Sequence, residues 1–378
     1  MIKYPMVDLV SQYKKIKPQV DAAIMEVIEN AAFIKGPAVS KFQHHLREYL
    51  GVKHVIPCGN GTDALQLALM ALDLQPGDEV ITTSFTFIAT AEVIALLKLT
   101  PVLVDVLPDT YNIDPKAVER AVTPKTKAII PVHLFGQSAD IHAILKIAQK
   151  HNLFIVEDTA QALGADFTCP ESGNTKKAGT FGHIGCTSFF PSKNLGAYGD
   201  GGAAFTNDDA LAEKLRVLAN HGMKVRYYHD LVGINSRLDT IQAAILDVKL
   251  YHLDEYATAR QKAAEYYNKA FAATDKIKTP ITANFTTHVF HQYTMVLDDS
   301  IHREALQKHL SAKGIASAVY YPVPLHLQKA YRNRRYSEGD FPVTEHLSNH
   351  VLSLPIHTEM DDSMLKEISD AVLEFVMQ

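Results

Sequence analysis

Between residues 54 and 207, short apolar runs rich in β-branched residues alternate with longer segments of helical periodicity. In the segment after the first run, the apolar residues recur at the spacing of one buried helix face: Ala64, Leu65, Ala68, Leu69 and Leu72. Such alternation is typical of α/β folds, in which helices pack on a largely parallel sheet. We therefore predict a mixed, mostly parallel sheet of seven strands, at residues 54–58, 79–84, 101–106, 128–133, 154–159, 185–190 and 202–206.

The pattern changes after Arg237. A long helical pattern extends to about residue 273, and beyond it strand-like runs such as HQYTMVL mix with helical ones such as EALQKHLSAKG. We predict a large domain at residues 1–250 and a smaller α+β carboxyl-terminal domain at residues 251–378. The segment from 166 to 182 contains Pro170 and Gly173, which predict an exposed hairpin or flap.

Composition narrows the functional classes. The 378 residues carry a net charge of −5, so no basic surplus favours nucleic acid. The sequence shows neither a secretory signal pattern nor a membrane-spanning run. Three widely spaced cysteines argue against a disulfide framework or zinc cluster, the histidines lack metal-ligand spacing, and a cytoplasmic protein without a metal is expected.

The segment TSFFPSKNLGAYGDGG, from Thr187 to Gly202, presents Lys193 among hydroxyls, glycines and aromatic rings. An amine in such a poorly solvated loop has a lowered pKa and can act as nucleophile and proton carrier. An ordinary loop lysine is the alternative, but the surroundings favour a polar ligand beside an amine.

Two further features suggest groups that could bind the same ligand as Lys193. Asp158 ends an apolar strand, where a buried carboxylate needs a cation or a hydrogen-bond donor. Gly61 and Thr62 begin a helix after a strand, a position suited to one phosphate, with a plain helix cap as the alternative. The same segment loosely matches G-x-G-x-x-A, but the acidic residue that a dinucleotide site needs after the next strand is missing.

A lysine, a buried aspartate and a phosphate cradle are the parts that pyridoxal 5′-phosphate (PLP) requires. Phe87 would then stack on the cofactor ring, although a core role for this phenylalanine is equally open. Ser188 would add a hydrogen bond to the phosphate.

Seven motifs follow one another along the chain: FIKGP (33–37), GNGTDAL (59–65), FTFIATAE (85–92), PVHLFGQ (131–137), EDTAQALGA (157–165), SFFPSKNLGAYGDGG (188–202) and GINSRLD (233–239). In this order they resemble the DegT/DnrJ/EryC1/StrS sugar aminotransferases, which have the aspartate aminotransferase fold (fold type I of the PLP-dependent enzymes). Many relatives have tyrosine at the position of Phe135, so a hydroxyl contact there is in doubt.

The resemblance implies that Lys193 forms the Schiff base, Asp158 contacts the pyridine nitrogen and Gln161 lies near the ring hydroxyl. It also implies a cofactor that cycles between PLP and pyridoxamine 5′-phosphate. Gly61, Thr62 and Ser188 would hold the phosphate. Asn235 would reach that phosphate from the neighbouring subunit, which requires a homodimer with shared active sites.

Four residues are candidates for substrate binding. Arg237 offers a planar fork for a carboxylate or phosphate, with structural pairing to Asp239 as the alternative. Tyr320, Tyr321 and His326 resemble the sugar-facing loop of the family.

The local motifs resemble 3-aminotransferases, and among them those that aminate UDP-2-acetamido-2-deoxy-3-oxo-D-glucuronate with L-glutamate for surface polysaccharides such as O-antigens. The alternatives are a dTDP-3-keto-6-deoxyhexose, a 4-keto nucleotide sugar, or a regulatory protein of the same fold. A sugar dehydratase of this fold would replace Lys193 with histidine. A nicotinamide oxidoreductase would depend on the loose glycine motif alone.

Overall fold

The computed structural model describes residues 2–331 and 335–378. The helices of this described part are α1 (Leu9–Glu29), α2 (Pro37–Leu50), α3 (Gly61–Ala71), α4 (Ala89–Leu96), α5 (Pro115–Ala121), α6 (Ile141–His151), α7 (Asp209–Leu218), α8 (Thr240–Leu250), α9 (Leu253–Phe271), α10 (Arg303–Ala312), α11 (Pro342–His350) and α12 (Asp362–Val376). Short 3-10 helices lie at Leu134–Gly136, Leu325–Leu327 and Lys329–Tyr331. Within the described ranges, none of the helices is long and apolar enough to cross a membrane.

The strands of the same ranges are β1 (His54–Cys58), β2 (Glu79–Thr83), β3 (Thr100–Val104), β4 (Thr126–Ile130), β5 (Phe154–Asp158), β6 (Asp166–Thr168), β7 (Thr175–Lys177), β8 (Ile184–Ser188), β9 (Gly202–Thr206), β10 (Met223–Val225), β11 (Tyr228–His229), β12 (Ile277–Lys278), β13 (Tyr293–Leu297) and β14 (Val351–Leu354). β6 and β7 pair antiparallel, so the segment predicted as a hairpin is one.

The central sheet has seven strands in the order β1-β9-β8-β5-β4-β2-β3. β9 is antiparallel to β1 and to β8, whereas the remaining pairs are parallel. All seven predicted strands are present, which confirms the predicted mixed, mostly parallel sheet. β4 ends at Ile130, earlier than predicted, because Pro131 has no N–H to donate to a neighbouring strand.

Successive residues of the buried strands pack on opposite faces of this sheet, as the twofold repeat of a strand requires. Val80 and Val156 pack in a core that includes residues of α3, α4 and α7. Their neighbours Ile81 and Ile155 pack in a second core with residues of α5 and α6. The result is a three-layer α/β/α arrangement. The carboxyl edge of the sheet is the place where such folds bind their ligands.

Helix α3 follows β1 directly at this edge. The Asn60 side chain caps it, because Oδ1 accepts a hydrogen bond from the backbone N–H of Asp63 at 2.8 Å. The predicted apolar face of the helix is buried in the first core. The free N–H groups of the first turn therefore lie beside the carboxyl ends of the strands.

The helical pattern after Arg237 consists of two helices, α8 and α9, separated at residues 251–252. Beyond them β12, β13 and β14 form a separate antiparallel sheet. The domain boundary predicted at residue 250 falls at the end of α8 and stays a prediction. Tyr4 packs in the core of this second sheet and pairs with Ile315, so the start of the chain reaches across that boundary.

Candidate active site

A cavity of about 760 Å³ lies at the carboxyl edge of the central sheet. The loops that follow β1, β2 and β8 line it, together with the end of β5. Ligands of open α/β sheets bind at this edge. The cavity brings together most of the site residues predicted from the sequence, namely Gly61, Thr62, Phe87, Asp158, Gln161, Ser188, Lys193, Tyr320 and Tyr321.

Lys193 lines the cavity from the turn after β8. Its backbone N–H donates to the carbonyl of Phe190 at 2.8 Å, which closes the turn. Burial lowers the pKa of the Lys193 amine from 10.5 to about 8, and the negative charge of Asp158 acts in the opposite direction. Such an amine is partly uncharged near neutral pH and can serve as a nucleophile.

Asp158 ends β5 and is buried, with 7% of its surface exposed. Its carboxylate accepts hydrogen bonds from the Thr90 hydroxyl at 3.1 Å and from the Ala160 N–H at 3.1 Å. Burial nevertheless raises the pKa of Asp158 above its ordinary value of 3.8, while those donors and Lys193 act to lower it. A cationic partner in the cavity would stabilise the carboxylate form.

The first turn of α3 and the end of β8 form a narrow polar cradle. Gly61 and Thr62 lie at the helix N-terminus, where free N–H groups favour an anion. A Cβ on Gly61 would lie 2.6 Å from the Cβ of Ser188, so only glycine fits between helix and strand. The Thr187 hydroxyl is buried beside the cavity without a hydrogen-bond partner in the described residues.

Gln161 and the aromatic rings enclose the remaining wall. Gln161 Oε1 accepts from the Phe135 N–H at 2.9 Å, and its Nε2 donates to the Tyr321 hydroxyl at 2.9 Å. Phe87 is 55% exposed and its ring centroid lies 6.5 Å from that of Tyr321. A solvent-facing phenylalanine at a cavity mouth suits stacking on a ligand better than a core role.

This set of donors fits PLP. The cavity offers a nucleophilic amine, a buried carboxylate that needs a cation, and an N–H cradle with hydroxyls for a phosphate. The unpartnered Thr187 hydroxyl is a further donor for such a ligand. The alternatives of a helix cap alone or a dinucleotide site leave the amine and the carboxylate unexplained.

Three predicted residues do not line this chain's cavity. Asn235 is exposed and Arg237 is partly buried. His326 is 1% exposed; its Nδ1 lies 2.7 Å from the Ser84 hydroxyl and its Nε2 lies 3.0 Å from a Glu345 carboxylate oxygen. Both ring nitrogens of His326 are thus engaged inside the protein, and its contact with the sugar stays a prediction.

Sequence reasoning missed several lining residues, of which His291 is the most informative. Its Nδ1 is buried without a hydrogen-bond partner in the described ranges. Burial and the charge of Lys193 hold the pKa of His291 well below 6.5, so the ring is neutral. The one sequence signal was its place at the start of the HQYTMVL run, two residues before β13 begins at Tyr293. Thr86, Asp200 and Gln292 also line the cavity.

Other histidine clusters lie away from the cavity. His133 pairs with Glu157 at 2.9 Å, fully buried, and Glu157 also accepts hydrogen bonds from three backbone N–H groups, those of Gly179, Phe181 and Gly182. This supports a structural role for both residues.

Asp299, His346 and His350 have potential metal-ligand atoms within 4.8 Å of one another, a grouping that the sequence spacing did not suggest. His350 Nε2 lies 2.8 Å from Asp299 Oδ1, and the His346 and His350 rings stack, which accounts for their proximity.

Comparison with known proteins identifies a family and similar relatives over nearly the whole chain. Residues 14–373 match the pattern described as the DegT/DnrJ/EryC1/StrS aminotransferase family. A Geobacillus stearothermophilus protein called a pleiotropic regulatory protein is 48% identical and covers 98% of this chain and 98% of its own length. UDP-2-acetamido-2-deoxy-3-oxo-D-glucuronate aminotransferase of Pseudomonas aeruginosa is 46% identical, with 97% and 98% covered.

A solved structure is similar over both complete chains. The crystal structure of S. venezuelae DesV in complex with a ketimine intermediate has a TM-score of 0.95 and 39% sequence identity, and the match covers 100% of this chain and 100% of that one. The predicted fold class is thereby confirmed.

Proposed function

The chain belongs to the DegT/DnrJ/EryC1/StrS aminotransferase family, and from that premise we propose that it aminates carbon 3 of a 3-keto nucleotide sugar. It is a PLP-dependent aminotransferase. The substrate that we propose is UDP-2-acetamido-2-deoxy-3-oxo-D-glucuronate, with L-glutamate as amino donor. The 46% identity to the P. aeruginosa enzyme of that name supports this substrate.

One observation carries the catalytic part of the proposal. The Lys193 amine, with its pKa of about 8, lines the same cavity as the buried Asp158 carboxylate and the N-terminus of α3. When bound, PLP supplies an electrophilic carbonyl and a ring that accepts electrons. Lys193 Nζ would bind that carbonyl and afterwards carry a proton between donor and acceptor carbons, because an amine of this pKa can both give and take a proton near neutral pH.

Asp158 would hold a proton on the pyridine nitrogen. The carboxylate lies in a buried environment that raises its pKa, so an adjacent positive charge is the arrangement that stabilises it. Gly61, Thr62 and Ser188 would bind the phosphate through N–H and hydroxyl groups, and Phe87 and Gln161 would orient the ring. Tyr320 and Tyr321 would face the sugar.

Charge supports a shared site in a homodimer. Among the described residues that line the cavity, Lys193 is the one lysine or arginine. The proposed ligands carry a cofactor phosphate, a diphosphate and carboxylates, which need further cations or donors. Asn235 and Arg237, outside their own subunit's cavity, would supply these groups to the partner subunit, with Arg237 on the uronate carboxylate.

The proposed role is in the cytoplasmic synthesis of an amino sugar for a surface polysaccharide of the O-antigen type. We place the enzyme in the cytoplasm because its nucleotide-sugar and glutamate substrates are cytoplasmic metabolites.

A panel of keto sugars tests the proposal. The purified protein is incubated with glutamate and either the UDP-3-keto uronate, a dTDP-3-keto-6-deoxyhexose or a 4-keto nucleotide sugar, and mass spectrometry and NMR identify the aminated carbon. We expect amination at carbon 3 of the uronate and none with Lys193→Ala. Absence of amination of the uronate would refute the substrate. Absence of transfer to every sugar would instead favour the regulatory role for which the Geobacillus relative is named.

A further inference from the structure

Ser236 lies between the two residues proposed to serve the partner, but its side chain turns into its own subunit. It is buried, and its hydroxyl oxygen accepts a hydrogen bond from the Gly59 N–H at 2.9 Å. The same hydroxyl donates to Asp63 Oδ2 at 2.6 Å. Gly59 and Asp63 flank the residues of the phosphate cradle, so Ser236 contacts the cradle from behind.

The position of Asp63 explains why such a contact matters. Its carboxylate belongs to the first turn of α3 and lines the cavity, close to where a phosphate would bind. A negative charge here interacts well with the helix dipole but repels a phosphate. The short hydrogen bond from Ser236 holds the Asp63 carboxylate in one position.

The surroundings leave Ser236 little freedom. Its backbone N–H donates to the carbonyl of Ala219 at 3.1 Å, and the preceding Asn235 pairs with Asn220. On the cradle side, a Cβ on Gly59 would lie 3.0 Å from Asp63 Oδ2 and 3.4 Å from the Ser236 hydroxyl. The segment Asn235–Arg237 and the cradle therefore form one packed unit, and displacement of either would be transmitted to the other.

We propose that Ser236 is a positioning residue that couples the phosphate cradle of its own subunit to the Asn235–Arg237 segment that serves the partner. The proposal rests on the shared homodimeric site proposed above. Cofactor binding in one subunit fixes Gly59 and Asp63, which fixes Ser236 and so presents the neighbouring Asn235 to the second cradle. The two sites of the apo-dimer then bind PLP with positive cooperativity.

Heterodimers purified through two affinity tags distinguish the effect of a substitution on cofactor binding in its own subunit from its effect on cofactor binding in the partner subunit. In each heterodimer one subunit carries Lys193→Ala, so the visible absorbance of the lysine-bound cofactor reports only the other subunit. Ser236→Ala is placed either in the reporting subunit or in the Lys193→Ala subunit, and PLP affinity is measured on the apo-protein. The control heterodimers carry no serine substitution, or Ser300→Ala, which changes an exposed serine.

We expect both placements of Ser236→Ala to weaken PLP binding to the reporting subunit by about three- to tenfold, the size expected for the net contribution of one ordinary hydrogen bond. Ser300→Ala should leave the affinity unchanged. Wild-type affinity when Ser236→Ala lies in the non-reporting subunit would overturn the coupling. A monomer that binds the cofactor with full affinity would instead overturn the shared site itself.

A second variant tests the part played by Asp63. Asp63→Asn keeps a hydrogen-bond acceptor for Ser236 but removes the charge. In that background we expect the loss caused by Ser236→Ala to fall to less than twofold, since no carboxylate remains for Ser236 to hold in one position. An equal loss in both backgrounds, or a fall in the melting temperature that accounts for it, would show that Ser236 acts only through general packing and would overturn its positioning role.

Discussion

The Lys193 amine should titrate about 2.5 pH units below an ordinary lysine. Burial lowers its pKa from 10.5 to about 8. At pH 7.5 an amine with a pKa of about 8 is roughly one quarter uncharged, compared with about 0.1% for an unperturbed lysine. The reactive fraction is therefore about 200-fold larger, and chemical labelling of the apo-protein should show this difference.

Replacement of Asp158 should change the pKa of Lys193 in a defined direction. The negative charge of Asp158 raises the pKa of Lys193 against the effect of burial. Asp158→Asn removes that charge, so the pKa of Lys193 should fall further, below 8. Asp109→Asn is the matched control, because Asp109 is exposed, lies outside the cavity and pairs with Lys278.

The assay is brief acylation of the apo-protein between pH 6 and 11, followed by peptide mass spectrometry of each lysine. Lys249 is an internal comparison: burial also lowers its pKa to about 8, but it is 1% exposed and should react slowly at every pH. A Lys193 midpoint at or above pH 10, or a midpoint that rises in Asp158→Asn, would refute the reasoning.

Three further predictions test the phosphate cradle, the buried Glu157 carboxylate and the role of His326. Gly61→Ala should weaken PLP binding to the apo-protein by at least about tenfold, because its Cβ would lie 2.6 Å from that of Ser188; wild-type affinity would contradict the cradle. Glu157→Gln should reduce the free energy of unfolding in urea by about 2–4 kcal/mol, because the carboxylate binds three backbone N–H groups, and a loss under about 1 kcal/mol would argue against this. His326→Gln should lower the melting temperature but leave KM for the nucleotide sugar within twofold, whereas a tenfold rise in KM would support a contact between His326 and the sugar.

The sequence was most informative where local pattern and topology act together. Strand patterns end next to Asp158 and before Lys193. Because parallel strands bring their carboxyl ends to one edge of the sheet, the sequence predicts that these two residues line the same cavity, as they do. The cap at Asn60 was equally predictable, because it depends on neighbouring residues alone. Such features need no knowledge of distant contacts.

The inward direction of the His326 ring and the place of His291 in the cavity depend instead on distant contacts. His326 belongs to a segment of recognisable sequence, but the direction of its ring depends on Ser84 and Glu345, which are far away along the chain. His291 faces the cavity because Phe290 before it adopts a left-handed φ of 45°, a costly conformation for an aromatic residue. The buried Arg260 guanidinium stabilises that turn by donating to the Phe290 carbonyl at 3.2 Å. A strained turn held by a side chain from α9 leaves no local sequence signal for the direction of the His291 ring, which only the structure identifies.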